Sequence, residues 1–91
     1  MAITIILPNA LRPYAAWNDR VYVEAKTAGD ALDQLLARYP DLRAQLPSDI
    51  ASPPPGAAIY RNATDLRRLQ GLDTPLRDED RLTIIVPAGD L

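Results

Sequence analysis

The two most apolar, β-branched runs of this 91-residue chain stand at its opposite ends: Ile3-Thr4-Ile5-Ile6-Leu7 and Leu82-Thr83-Ile84-Ile85-Val86. Strands of this composition sit in the covered middle of a sheet rather than at its edge. If the first and last strands are both central, the chain between them must leave the middle of the sheet and return to it. That intervening chain holds one long stretch of helical periodicity: Ala28, Ala31, Leu32, Leu35, Leu36 and Tyr39. Thr27, with Asp30 three residues on, opens the helix, and Pro40 closes it. Asp30, Asp33, Gln34 and Arg38 mark its solvated side.

The remaining segments fit around this frame. Ala2 to Leu7 reads as a strand buried on both faces, and Asn9 to Asp19 as a loop. Arg20 to Ala25 alternates apolar and polar residues, as a half-buried hairpin partner does. Asp41 to Leu46 extends the helical part by one or two turns, and the proline-rich residues 47–56 read as a surface excursion. Ala58 to Arg61 is a short strand, Asn62 to Thr64 a turn, and Asp65 to Leu69 a brief edge strand. An irregular turn over residues 71–76, anchored by Leu72 and Leu76, leads to a tight turn at 78–80 and the last strand, Arg81 to Val86. The order β-β-α-β-(β)-β, with first and last strands paired at the centre, defines an α+β architecture. It is a mixed sheet of four to five strands with one main helix across one face, the ubiquitin-like β-grasp. Residues 1–91 read as a single domain.

Composition narrows the chemistry. The chain has no cysteine and no histidine, so it lacks a thiol nucleophile, the usual zinc ligands and the commonest general base. Thr27 and Ser48 have no such base to activate them. Asp78, Glu79 and Asp80 are three acids in one turn without a wider ligand set, and read as a polar turn rather than a cation site. The expectation is a protein that is not an enzyme and holds no cofactor or metal. A net charge of -2 argues against nucleic-acid and membrane-surface partners. The start, MAITIILP, lacks the features of a signal peptide, and the expected location is the cytoplasm. Arg61, Arg67 and Arg68 form a candidate basic contact for an acidic partner, with ordinary solvated charge as the competing reading. Tyr14 and Trp17 are either an exposed aromatic contact or partly packed on the core.

Three stretches carry a family resemblance. They are LPNALRPY (7–14), TAGDALDQLLARYPDLRAQL (27–46) and IYRNATDLRRLQGLDTPLRDEDRLTIIVPA (59–88), with Gly71-Leu72-Asp73-Thr74-Pro75-Leu76 the most specific part. The whole chain resembles the bacterial small sulfur carriers: the molybdopterin synthase small subunit, the thiamine sulfur carrier and, most closely, the carrier of cysteine biosynthesis. The resemblance implies a carrier that other proteins act on. An E1-like adenylating enzyme activates its C-terminal glycine carboxylate, sulfur transfer yields a thiocarboxylate, and a sulfur-accepting synthase takes the sulfur.

The departures from that pattern are as informative. Family tails end in Pro-Ala-Val-Ala-Gly-Gly or close to it, whereas here the strand is followed by Pro87-Ala88-Gly89-Asp90-Leu91. Gly89 becomes a carrier position only if Asp90 and Leu91 are removed. Even then it lies three residues beyond Val86, a reach of about 10 Å at roughly 3.3 Å per residue. The alternative is a β-grasp module that is not activated and acts by non-covalent contacts. By the resemblance, Ala63 and Glu79 stand in place of turn glycines, and Ala15, Ala16 and Trp17 fill a loop where relatives often have Gly-Gly. A positive φ at Ala63 or Glu79 costs on the order of 1 kcal/mol each, so both turns are expected to relax to another type.

Overall fold

The computed structural model describes residues 2–44, 46 and 57–86. The expectations for residues 47–56 and for the tail, Gly89 included, lie outside the described residues. Five strands form one mixed sheet: β1 (Ile3–Ile6), β2 (Arg20–Val23), β3 (Ala58–Arg61), β4 (Thr64–Asp65) and β5 (Arg81–Ile85). Their order is β2-β1-β5-β3-β4, so the first and last strands are neighbours in the interior of the sheet. β1 runs parallel to β5, with Ile5 opposite Leu82 and Ile6 opposite Thr83. The other pairings are antiparallel.

One helix, α1 (Ala28–Arg38), supplies the second layer. The Thr27 hydroxyl accepts the Asp30 N–H at 3.1 Å, the capping contact that Thr-x-x-Asp predicts. Pro40 cannot continue the hydrogen-bond ladder, and the chain passes into a 3₁₀ helix over Pro40–Ala44. The buried stripe Ala28, Ala31, Leu32 and Leu35 packs with Ile3, Ile5, Leu7, Val21, Val23, Ile59, Leu82 and Ile84 in one core. Two helix side chains also reach the free edge of β2. Arg38 Nη1 donates to the Tyr22 carbonyl at 3.1 Å, and the Gln34 amide donates to the Glu24 carbonyl.

The Gly71–Leu76 run fastens the start of the helix to the sheet. Ala28 N–H donates to the Thr74 carbonyl at 3.0 Å, and Leu76 N–H to the Lys26 carbonyl at 2.8 Å. A Cβ on Gly29 would lie 3.2 Å from the Leu72 carbonyl oxygen, so the close approach favours glycine there. Thr74 is buried, and its hydroxyl accepts the Gln70 N–H at 3.0 Å.

Several expectations need correction. β1 buries Ile3, Ile5 and Leu7 but leaves Thr4 and Ile6 half-buried, because the helix covers only one face of the sheet. The segment after β1 is a 3₁₀ helix, Asn9–Ala15, pinned by buried Leu11 and Ala15 rather than a plain loop. The edge strand expected over Asp65 to Leu69 stops at Asp65, whose carboxylate accepts the Arg67 N–H and starts a 3₁₀ turn, Leu66–Arg68. Of the two expected anchors, Leu76 is buried but Leu72 is 45% exposed; Leu72 contributes its backbone to the helix contact. At the glycine-replaced turns the outcome is divided. Ala63 avoids positive φ, which falls instead on Asn62 at 54°, a residue type that tolerates it. Glu79 does not escape: its φ is 71°, the value a type II turn demands of its third residue.

Two outcomes follow for urea unfolding. Leu35→Ala should lose about 2–5 kcal/mol, as expected for a fully buried leucine. Glu79→Gly should raise stability by about 1 kcal/mol by removing the left-handed strain. A destabilised Glu79→Gly variant would mean that the turn is not strained.

Candidate functional site

Alternation along the strands places a second set of side chains on the sheet face opposite the helix. The cross-strand partners Arg20, Ile6, Thr83, Tyr60 and Asp65 form one row across all five strands. Tyr22, Thr4 and Arg81 form a second row, and Ile85 and Ala58 a third. Tyr22 is 55% and Ile85 41% exposed on this face. The face mixes exposed Tyr22 and Ile85 with threonines and with Arg20 and Arg81, a mixture found on protein-docking surfaces.

The three candidate arginines lie at the β3–β4 side, but they are not equivalent. Arg61 Nε donates to Asp80 at 2.9 Å. Asp80 also accepts the Asn62 amide at 3.1 Å and the Arg77 N–H at 2.8 Å. Asn62 returns a contact to the last strand, accepting the Arg81 N–H at 3.0 Å. Arg67 forks onto Asp65, with its shortest contact, Nη2 to Oδ2, at 2.6 Å. Arg68 alone of the three makes no hydrogen bond or ion pair among the described residues. It lines two shallow depressions, one shared with Tyr60, Thr64 and Arg67, the other with Arg61, Gln70 and Thr74. The structure therefore groups the three side chains, and among the described residues Arg68 is the one not held by a hydrogen bond or ion pair, though its charge also favours the Asp65 carboxylate.

Asp80, which the sequence places in an ordinary polar turn, is the hub of this corner. Its burial alone would raise the carboxyl pKa. The Arg77 N–H, the Asn62 amide and the Arg61 guanidinium outweigh that and hold it below the usual carboxylate value. The Arg67 hydrogen bonds likewise hold Asp65 low. The signal that could have marked Asp80 is its place at the end of the Asp-x-Asp turn, just before the last strand. The aromatic question also has an answer: Trp17 is 74% exposed, while Tyr14 sits at the border of exposure.

Comparison with known proteins follows the same outline. A profile of the ThiS family matches residues 5–89. The sulfur carrier protein CysO of Mycobacterium bovis is 31% identical over 87 residues, covering 93% of this chain and 94% of the relative. The crystal structure of Mycobacterium tuberculosis CysO superposes with a TM-score of 0.79 at 31% identity, covering 96% of this chain and 99% of that one. A chain in the Amycolatopsis orientalis BexX/CysO complex superposes with a TM-score of 0.84 at 25% identity, covering 98% and 99%.

Because its folded pKa is depressed, Asp80 adds stability above its unfolded value of about 4, and this is lost as the pH falls through the lower folded value. In thermal melts across that range, Asp80→Asn should be less stable than wild type at neutral pH, and the gap should shrink on acidification. A gap that stays constant with pH would show that the carboxylate's charge contributes nothing.

Proposed function

Since the chain belongs to the ThiS family, we propose that it is a carrier-type protein that other enzymes act on rather than one that catalyses a reaction itself, its capacity to take up sulfur depending on whether its tail presents a terminal glycine. Its partners are an E1-like adenylating enzyme and a sulfur-accepting synthase, which meet the open sheet face and the chain beyond Val86. The observation that carries this reading is the extent of the family match, which runs through the last strand to residue 89. The strand order supports it, since a central last strand delivers the following residues at a defined end of the sheet. Partnership with another protein has a parallel in the BexX/CysO complex of the relative. Arg68, which makes no hydrogen bond or ion pair among the described residues, is the member of the arginine group available to an acidic partner group.

A second reading is favoured by one feature, the residues after Ala88. The carrier carboxylate in the resembled family belongs to a glycine, which passes a narrow channel because it has no side chain. A chain ending at Leu91 would bring Asp90 and Leu91 into that channel, and burying an unpaired carboxylate there is costly. Such a chain acts by non-covalent contacts until Asp90 and Leu91 are removed to expose Gly89.

The test incubates three forms with the adenylating enzyme of the same host, ATP and a sulfur donor: the 91-residue chain, a chain ending at Gly89, and a chain rebuilt to end Pro-Ala-Val-Ala-Gly-Gly. Intact mass reports the exchange of oxygen for sulfur, and alkylation of the thioacid confirms it. Only the rebuilt tail is expected to react well, because it alone has both reach and paired glycines. Efficient reaction of the 91-residue chain would remove the non-covalent reading. Reaction of the Gly89 form would restore Gly89 as the carrier position after processing. Failure of all three would overturn the carrier assignment.

A further inference from the structure

Trp17 is the chain's only tryptophan, and most of it is exposed. Its backbone lies in the left-handed region at φ 64°, directly after Ala16 at 54°. Two successive residues with side chains rarely adopt this conformation, and only the surrounding structure can hold them there. Here the surroundings are well fixed. Trp17 N–H donates to the Arg12 carbonyl at 2.7 Å, and Asn18 N–H to the Ala15 carbonyl at 3.0 Å. The Asn18 amide donates to the Tyr39 hydroxyl at 3.1 Å, and Leu7 N–H to the Asp19 carbonyl at 2.9 Å. The indole is thus presented on a braced corner. Folding alone explains neither property, since glycine would remove the strain and a polar residue the exposed apolar surface.

The position of the corner indicates what covers it. β1 and β5 are parallel and in register, and Leu7 at the end of β1 meets Asp19. The Ala16–Asn18 corner therefore stands at the end of the sheet where the chain leaves β5. The lateral offset is two strand spacings, about 10 Å. Exposed Ile85 lies at the same end on the open face. A typical partner footprint of about 800 Å² is on the order of 30 Å across, so a protein that grips the chain beyond Val86 also covers this corner.

We propose that Trp17 is a preformed docking anchor for the adenylating enzyme that receives the C-terminal end, with its indole entering an apolar pocket beside the tail channel. The proposal rests on the carrier reading above. Tryptophan is among the residues that most often dominate interface energetics. Holding its backbone in place before contact reduces the ordering that binding must impose. The strain in the free protein is accounted for by affinity in the complex.

The experiment uses the full chain labelled with fluorotryptophan, whose single fluorine signal reports only residue 17, and the purified adenylating enzyme of the same host. In the free chain the signal should show a solvent isotope shift, and enzyme should shift or broaden it. Trp17→Gly should bind at least tenfold more weakly and melt no lower than wild type, since glycine relieves the strain. Trp17→Asn, which also tolerates a left-handed backbone, should show the same loss of binding. Wild-type affinity in both variants would overturn the anchor and leave the carrier reading intact. Failure of the wild-type chain to bind the enzyme would overturn both. A fluorine signal shielded in the free chain, or a wild-type dimer that Trp17→Gly dissolves, would show the indole already covered and overturn the proposal.

Discussion

The parallel pairing of the first and last strands is the contact on which the rest of this structure depends. Ile5 opposite Leu82 joins residues 77 positions apart in the chain, so the pairing closes nearly the whole chain into one loop. With both strands in the interior, the segments between have few places to go. β2 must pair with the outer side of β1, β3 with the outer side of β5, and α1 must cross the face that Ile3, Ile5, Leu82 and Ile84 leave apolar. The Gly71–Leu76 run then completes the arrangement by joining the helix start to the approach to β5 through backbone hydrogen bonds.

That frame was legible in the sequence because its signals are repeated and hydrophobic. Two β-branched runs, one helical stripe and a Thr-x-x-Asp cap with a terminal proline all point the same way. What was not legible depends on single contacts. Asp65 ends β4 by accepting the Arg67 N–H, and no periodicity foretells that. Leu72 looks like an anchor by composition, yet the contact that matters is made by its carbonyl against Gly29. The candidate site was only half visible. Arg61, Arg67 and Arg68 do lie together, but sequence cannot reveal that Asp80 and Asp65 already hold two of them. Asp80, read as one acid among three, takes its importance from burial beside partners distant in the chain.

Four residues with side chains hold a positive φ among the described residues, all of them in turns. Ala16, Trp17 and Glu79 hold left-handed backbone with side chains attached, and the Asn62-Ala63 turn moves the burden to the residue better suited to it. A few strained positions are tolerable because the core, from Ile3 to Ile84, fixes the ends of each turn.

The side chains of α1 that reach the edge of β2 have a consequence beyond the stability of the monomer. A strand edge with free carbonyls is a template on which another chain can pair. Here Arg38 and Gln34 occupy the Tyr22 and Glu24 carbonyls, and at the opposite side β4 is two residues long before it turns away. Among the described residues, neither edge offers a long run of free main-chain groups on which another strand could pair. Association through this sheet must therefore depend on side chains, which tell one partner from another, rather than on the backbone, which does not. Edge-to-edge stacking of copies is the association this arrangement disfavours.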